Sequence, residues 1–181
     1  MMDQQIKDRI SESIRDFHLP GYDEIPSVGL YLEQVTKYIS DYLKPLAGVE
    51  ITSSMISNYV KKKLVSNPVK KQYSQEQIAY LIFIAVVKTV VSIEDIRLMC
   101  SIQRKTYSAQ RAYDYFCMEL ENVLQYVFGR KNELDVIGVE HSDEKVMLRN
   151  SIITVVHKVY LNALLAELRK EQTGESKRNG C

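Results

Sequence analysis

The sequence predicts a mainly α-helical protein, and three observations carry that expectation. Seven glycines and four prolines in 181 residues are too few for a many-turned β-sandwich. Apolar residues recur at three- and four-residue spacing along most of the chain. Two such stretches open on a cap with a partner three residues later, Ser74 with Gln77 and Ser92 with Asp95. A hydrophobic content of 45% supplies a real core, and the length fits one compact domain or a small binding domain with an assembly element.

The elements follow in order. Ile6, Ile10, Ile14 and Phe17 mark an amphipathic helix that ends at His18-Leu19-Pro20-Gly21, because proline cannot continue it. Ser27 reads as the cap of a second helix, with Leu30, Val35, Ile39, Tyr42 and Leu43 buried and Pro45 and Gly48 closing it. Thr52 or Ser53 caps a third helix that runs through Met55, Ile56 and Tyr59 to about Lys63. After the break at Asn67-Pro68, Val69 to Tyr73 has the length of a small β-hairpin or wing. The Ser74 box opens a helix to about Val90, and Ser92 caps another through Ile93, Ile96 and Met99. A longer helix is expected from about Thr106 to Phe128, striped by Tyr113, Phe116, Leu120, Val123 and Val127. Residues 129–141 read as a linker, and Ser142 caps a last helix to about Lys170.

Charge is distributed unevenly. The chain is nearly neutral, with 24 Lys+Arg against 23 Asp+Glu, yet residues 51–73 hold five lysines (Lys61, Lys62, Lys63, Lys70, Lys71) and no acid. A basic island in a balanced protein suits a polyanion. The plainer alternative is a solvated helix face whose Ser and Asn residues are ordinary caps.

GVEITSSMISNYVKKKLVSNP, QYSQEQIAYLIFI and VVSIEDIRLM, within residues 48–99, resemble the winged-helix DNA-binding domain of the MerR family of bacterial transcription regulators. Gly48-Val49 stands at the family's turn, Ile56 and Tyr59 in its recognition helix, and Leu64-Val65 and Pro68 at the helix exit. Tyr73-Ser74 stands at the wing end, and Ser92-Ile93-Glu94-Asp95-Ile96 in the closing element. The chain departs from the pattern at Ser57-Asn58, where the family has Arg-Tyr, at Lys63, which replaces a glycine, and in a shorter wing. With LPGYDEIPSVGLYLEQV at 19–35, the chain also resembles a family of bacterial proteins known only as a domain of unknown function, over residues 19 to about 130.

The resemblance implies a winged helix-turn-helix with a short β wing and a C-terminal helical assembly region. It divides the chain into an N-terminal helix and linker (1–26), the MerR-like domain (27–104), a helical dimerisation region (105–171) and a disordered tail (172–181). It implies a bacterial regulator that binds double-stranded DNA, and reduced thiols without an N-terminal signal pattern point to the cytoplasm. Helical geometry adds its own reading: Ile56, Tyr59 and Val60 face the core, which turns Ser53, Ser54, Ser57, Asn58 and Lys61 outward. These five with Lys62, Lys70 and Lys71 are the expected DNA contacts. The lysines would neutralise phosphates, and Asn58 is the best candidate to read a base, since an amide pairs bidentately with adenine.

Other chemistry is not expected. Cys100 and Cys117 lie in apolar helical stretches and Cys181 in a polar tail, without metal or redox spacing. MerR-like metal sensors use clustered thiolates, so no metal or other cofactor is expected here. His141, between Glu140 and Ser142, reads as part of a helix start rather than a metal site, and His18 has no nearby partner in sequence. His157, beside Val155 and Val156 on a helix, reads as a satisfied or partly exposed histidine rather than a base. There is no Gly-rich phosphate loop, Gly-x-Ser-x-Gly or His-Glu-x-x-His, so an enzyme is the least expected class. The run from Ile78 is interrupted by Lys88 and too short to span a bilayer, and no membrane role is expected.

The last helix is apolar nearly all round from Val159 to Leu168, which predicts a homodimer through residues 143–170, with Asn162 fixing register in the seam. The alternative is that the helix is buried within a monomer. Two rival functions stay open. One is a protein–protein adaptor that keeps the winged-helix fold without DNA binding. The other is a sensor whose Tyr113, Tyr115, Phe116 and Tyr126 line a ligand pocket, unless those rings are simply core and interface packing.

Overall fold

The computed structural model describes residues 4–138 and 142–178, with side chains as far as 172; His141 and Cys181 lie outside the described residues. The fold is mainly helical with one small sheet. In order come α1 (Gln4–Glu12), a 3-10 turn (Tyr22–Glu24), β1 (Leu30–Tyr31), α2 (Leu32–Leu43), α3 (Ser53–Lys61) and β2 (Gln72–Tyr73). Then follow α4 (Gln75–Val87), α5 (Ile93–Thr106), α6 (Ala109–Val127) and α7 (Asp143–Arg178).

Helix α4 is the centre. Ile78, Leu81, Ile82, Ile84, Ala85, Val86 and Val87 are all fully buried, so the helix is covered on every side, as an all-apolar helix must be. Helices α2, α6 and α7 pack around it. The expected box forms at its start: Ser74 Oγ accepts from Gln77 N and Gln77 Oε1 accepts from Ser74 N.

The structure corrects the start of the second helix. Residues 30–31 form a strand instead of the helix expected from Ser27, and β1 pairs antiparallel with β2, Leu30 opposite Tyr73 and Tyr31 opposite Gln72. Helix α2 begins only at Leu32, where Gln34 Oε1 accepts from Tyr31 N at 2.9 Å. Gly29 is required by this pairing, because a Cβ there would stand 2.7 Å from Gln72 Cβ. The two expected helices that follow α4 are α5 and α6; the second begins at Ala109 rather than about Thr106, which ends α5, and Ser108 caps it through Arg111 N.

Helix α7 extends past the expected end near Lys170 and packs against α6, α1, α4 and α5. Ile152, Val155, Val156 and Val159 are buried in that packing. Arg9 of α1 reaches across to pair with Glu167 at 2.7 Å and Glu171 at 3.1 Å. More of α7 is therefore covered by its own chain than the sequence suggested, since α1 returns to lie on it. Asn162 has an internal role as well: its Nδ2 donates to Ala47 O at 3.0 Å. Leu161, Leu165 and Leu168, one stripe at four- and three-residue spacing, stay exposed. By length and composition alone, α7 is long and apolar enough to cross a membrane.

Asn162 meets the turn after α2 at Gly48, whose φ of +82° suits glycine and whose missing Cβ leaves room for the Asn162 amide. Gly48→Ala combines left-handed strain with that collision and is expected to cost about 1–3 kcal/mol. The check is a lower denaturant midpoint at unchanged slope; an unchanged midpoint would show that the turn and α7 are not locked together.

Candidate nucleic-acid interface

Helix α3 is held by its inner face. Ile56 and Tyr59 are buried, and Thr52 caps the helix by accepting from Met55 N at 3.2 Å. Burial pushes the Tyr59 phenol up to about 12, so this side chain stays neutral and serves packing. The outer face presents Ser54, Ser57, Asn58, Lys61 and Lys62, all exposed.

The expected contact residues differ in how free they are. Ser53 is half-buried and committed to α2, donating to Glu33 Oε1 at 3.0 Å and lying 3.0 Å from Thr36 Oγ1. Ser57 donates back to Ser53 O at 2.9 Å, one turn earlier. Asn58 and Ser54 are exposed, and neither side chain has a hydrogen-bond partner among the described residues. Glu33 therefore sets a negative charge beside the N-terminus of α3, and the region open to an anion moves to the second half of the helix.

That half ends in lysines. Lys63 sits at φ +56° and closes α3 in a Schellman motif, with Leu64 N donating to Tyr59 O and Lys63 N to Val60 O, both at 2.9 Å. A glycine normally takes this position; here a lysine does. The segment beyond is pinned to α4, because the Gln77 amide that completes the capping box also donates to Ser66 O at 2.8 Å and Ser66 Oγ at 3.0 Å.

The wing follows as a tight turn. Val69 and Gln72 exchange both backbone hydrogen bonds, at 3.1 and 2.9 Å, and between them Lys70 and Lys71 have φ of +50° and +65°. Positive φ at both central residues is a type I′ turn, whose twist matches that of the strands. Asn-Gly is the favoured pair there, so two lysines hold strained backbone at a solvent-exposed tip. Among the described residues, all three non-glycine positions with positive φ are lysines of the basic segment.

None of Lys61, Lys62, Lys63, Lys70 or Lys71 forms an ion pair among the described residues, whereas lysines elsewhere do, Lys37 with Asp41 at 2.6 Å for example. One further cation escaped the sequence reading. Arg97 of α5 donates to Lys62 O at 2.6 Å, bringing a guanidinium to the C-terminal end of α3. Only its surface position in α5, at the exposed spacing of Glu94 and Ser101, hinted at it.

The remaining candidates lie elsewhere. Cys100 and Cys117 are buried, and burial pushes their thiols up to about 11 and about 12. No group of three or more His, Cys, Asp or Glu among the described residues is placed to hold a metal. Tyr113 and Tyr115 line a cavity between the helices, Phe116 packs edge-on to Phe83 in the core, and Tyr126 lies at the surface.

A family profile described as Domain of unknown function (DUF1836) matches residues 20–116, more than half of the chain. The chain belongs to that family. Searches of curated proteins and of solved structures found no match.

Relief of the left-handed strain should be measurable. Lys63→Gly is expected to raise stability by about 1 kcal/mol, since the left-handed conformation costs a residue with a Cβ roughly that much. Lys70→Asn with Lys71→Gly restores the preferred I′ pair and should act in the same direction. A fall in denaturant midpoint for either variant would contradict these backbone assignments.

Proposed function

We propose that this member of the family is a transcriptional regulator that binds double-stranded DNA, with α2 to α5 working as a MerR-like winged helix-turn-helix. Helix α3 acts as the recognition helix and the Lys70–Lys71 turn as the wing. The observation that carries the reading is the set of five exposed lysines that form no ion pair among the described residues, three of them held in left-handed backbone. A fold that retains strained lysines where glycine or asparagine would be more stable has a use for their charge.

Order and spacing support the same reading. A helix, a turn, a second helix, a tight β turn and two further helices follow one another as in a winged helix. Lys63 and Lys70 are seven residues apart, which spans at most about 25 Å of chain. That is less than the roughly 34 Å of one duplex turn, so both groups reach phosphates of a single turn. Asn58, exposed beside the lysines and without a hydrogen-bond partner among the described residues, is the residue to read a base edge.

Helix α7 then supplies assembly. Its exposed Leu161, Leu165 and Leu168 are the stripe that a second copy would cover, and a two-fold dimer would present two recognition helices to two half-sites. We read α7 as a packing element and not a membrane span, because its other face is buried and Arg149 pairs with Glu119 at 3.1 Å. The reading assigns no catalytic role and no cofactor.

Replacing Lys61, Lys62, Lys70 and Lys71 with Ala should weaken binding to every duplex and flatten the dependence of log affinity on log salt by about 0.9 per lost phosphate contact. Unchanged affinity and slope would favour the adaptor, which does not need these charges. Asn58→Ala should cost about 1–3 kcal/mol at the specific site and little on random duplex; equal losses on both would remove Asn58 as a base reader.

For the assembly, sedimentation at micromolar concentration should show a dimer that Leu161→Asp or Leu165→Asp dissociates while the fold is kept, since both side chains are exposed in the monomer. A wild-type chain that sediments as a monomer would rule the dimer out.

A further inference from the structure

A cavity of about 710 Å³ lies between α4, α5, α6 and the start of α7. That is the size of a pocket for a small organic molecule. Its walls are apolar: Phe83 from α4, Met99 from α5, Ala112 and Met118 from α6, Met147 and Leu148 from α7. Three methionines make an adaptable lining, because unbranched thioether side chains repack around ligands of differing shape.

The polar groups around this cavity differ in how far they are engaged, and the buried Tyr113 hydroxyl has no hydrogen-bond partner among the described residues. Most already have protein partners. Gln103 accepts from Tyr80 OH at 2.8 Å and donates to Tyr107 O at 2.8 Å, and Tyr115 OH donates to Ile137 O at 3.3 Å. Both acids are engaged as well: Asp114 accepts from Tyr22 N at 3.0 Å, and Glu144 from Thr106 Oγ1 at 2.9 Å. The two cations are different. Arg111 lies over the Tyr107 ring at 5.2 Å and Lys145 over the Tyr115 ring at 5.1 Å, and among the described residues neither meets a carboxylate.

We infer that this cavity binds an amphipathic monoanion, an organic acid whose apolar body fills the space lined by Phe83 and the methionines and whose carboxylate is met by Arg111 and Lys145. A carboxylate is the complement that these two cations lack among the described residues, whereas Asp114 and Glu144 already accept hydrogen bonds from the protein. The tyrosine rings beneath the two cations hold them in place before the ligand arrives, which lowers the cost of ordering them on binding. The inference concerns a small-molecule site and holds whether or not the chain binds DNA.

Decanoate and its uncharged counterpart decanol are suitable probes, titrated calorimetrically against the full chain below their aggregation limits. The expected result is saturable binding of one decanoate per chain, with decanol at least tenfold weaker. Arg111→Gln with Lys145→Gln should abolish that preference while leaving cooperative unfolding intact. Ala112→Trp should fill the cavity and abolish binding, and Met118→Trp at the exposed rim serves the same purpose if the first variant does not fold. Absence of saturable decanoate binding, equal affinity for decanol, or full affinity in a folded plug variant would overturn the assignment.

Discussion

A helix that is apolar on every side has to be surrounded, and the fold depends on meeting that requirement for α4. Its buried residues run from Ile78 to Val87 without a polar face, so α2, α6 and α7 are arranged as a sleeve around it. Apart from the Tyr80 hydroxyl, which donates to Gln103, the polar groups of α4 lie at its ends, and two of these tie α3 to it. Gln77, buried at the first turn, completes the cap and also ties down the connection leaving α3. Lys88, at the other end, extends its Nζ to Met55 Sδ of α3 at 3.4 Å, and burial there lowers its pKa. Helix α3 and the segment leading to the wing are thus attached to the buried central helix at two points.

That attachment explains how a short helix and a two-residue turn hold a defined shape. Nine residues are too few for a helix to be stable in isolation. Helix α3 persists because Ile56 and Tyr59 are buried, Thr52 and the Schellman motif close its ends, and Arg97 adds a donor at Lys62 O. The Lys70–Lys71 turn is held by β2, whose partner β1 is itself anchored by the start of α2. Strain at three lysines is sustained by this surrounding structure and leaves their charges in solvent.

Local signals were legible in the sequence. The caps at Thr52, Ser74 and Ser92, the core side of α3, the apolar run of α4 and the tight turn after Pro68 each depend on residues within one or two turns of each other. What the sequence hid is long-range. Strand β1 is two residues long and acquires its identity from residues 72–73, so local periodicity assigned it to a helix. The engagement of Ser53 by Glu33, the return of α1 onto α7 and the contact of Asn162 with Ala47 all join distant segments. They change the candidate site in a definite way: the open part of α3 is its lysine-bearing half, and the helix start is occupied by an acid. The cavity was only half visible, because Tyr113 and Tyr115 were named for it whereas its cations, methionines and phenylalanine come from four separate helices.

The central claim is that residues 53–73 form the face that meets DNA. Hydrogen–deuterium exchange of the full chain with and without a random duplex at low salt tests it most directly, because it locates the contact without altering any residue. The account predicts slower exchange in α3 from Asn58 onward and in the turn at Val69–Gln72, disappearing as salt is raised. No protection on adding duplex, or protection confined to α7, would contradict it.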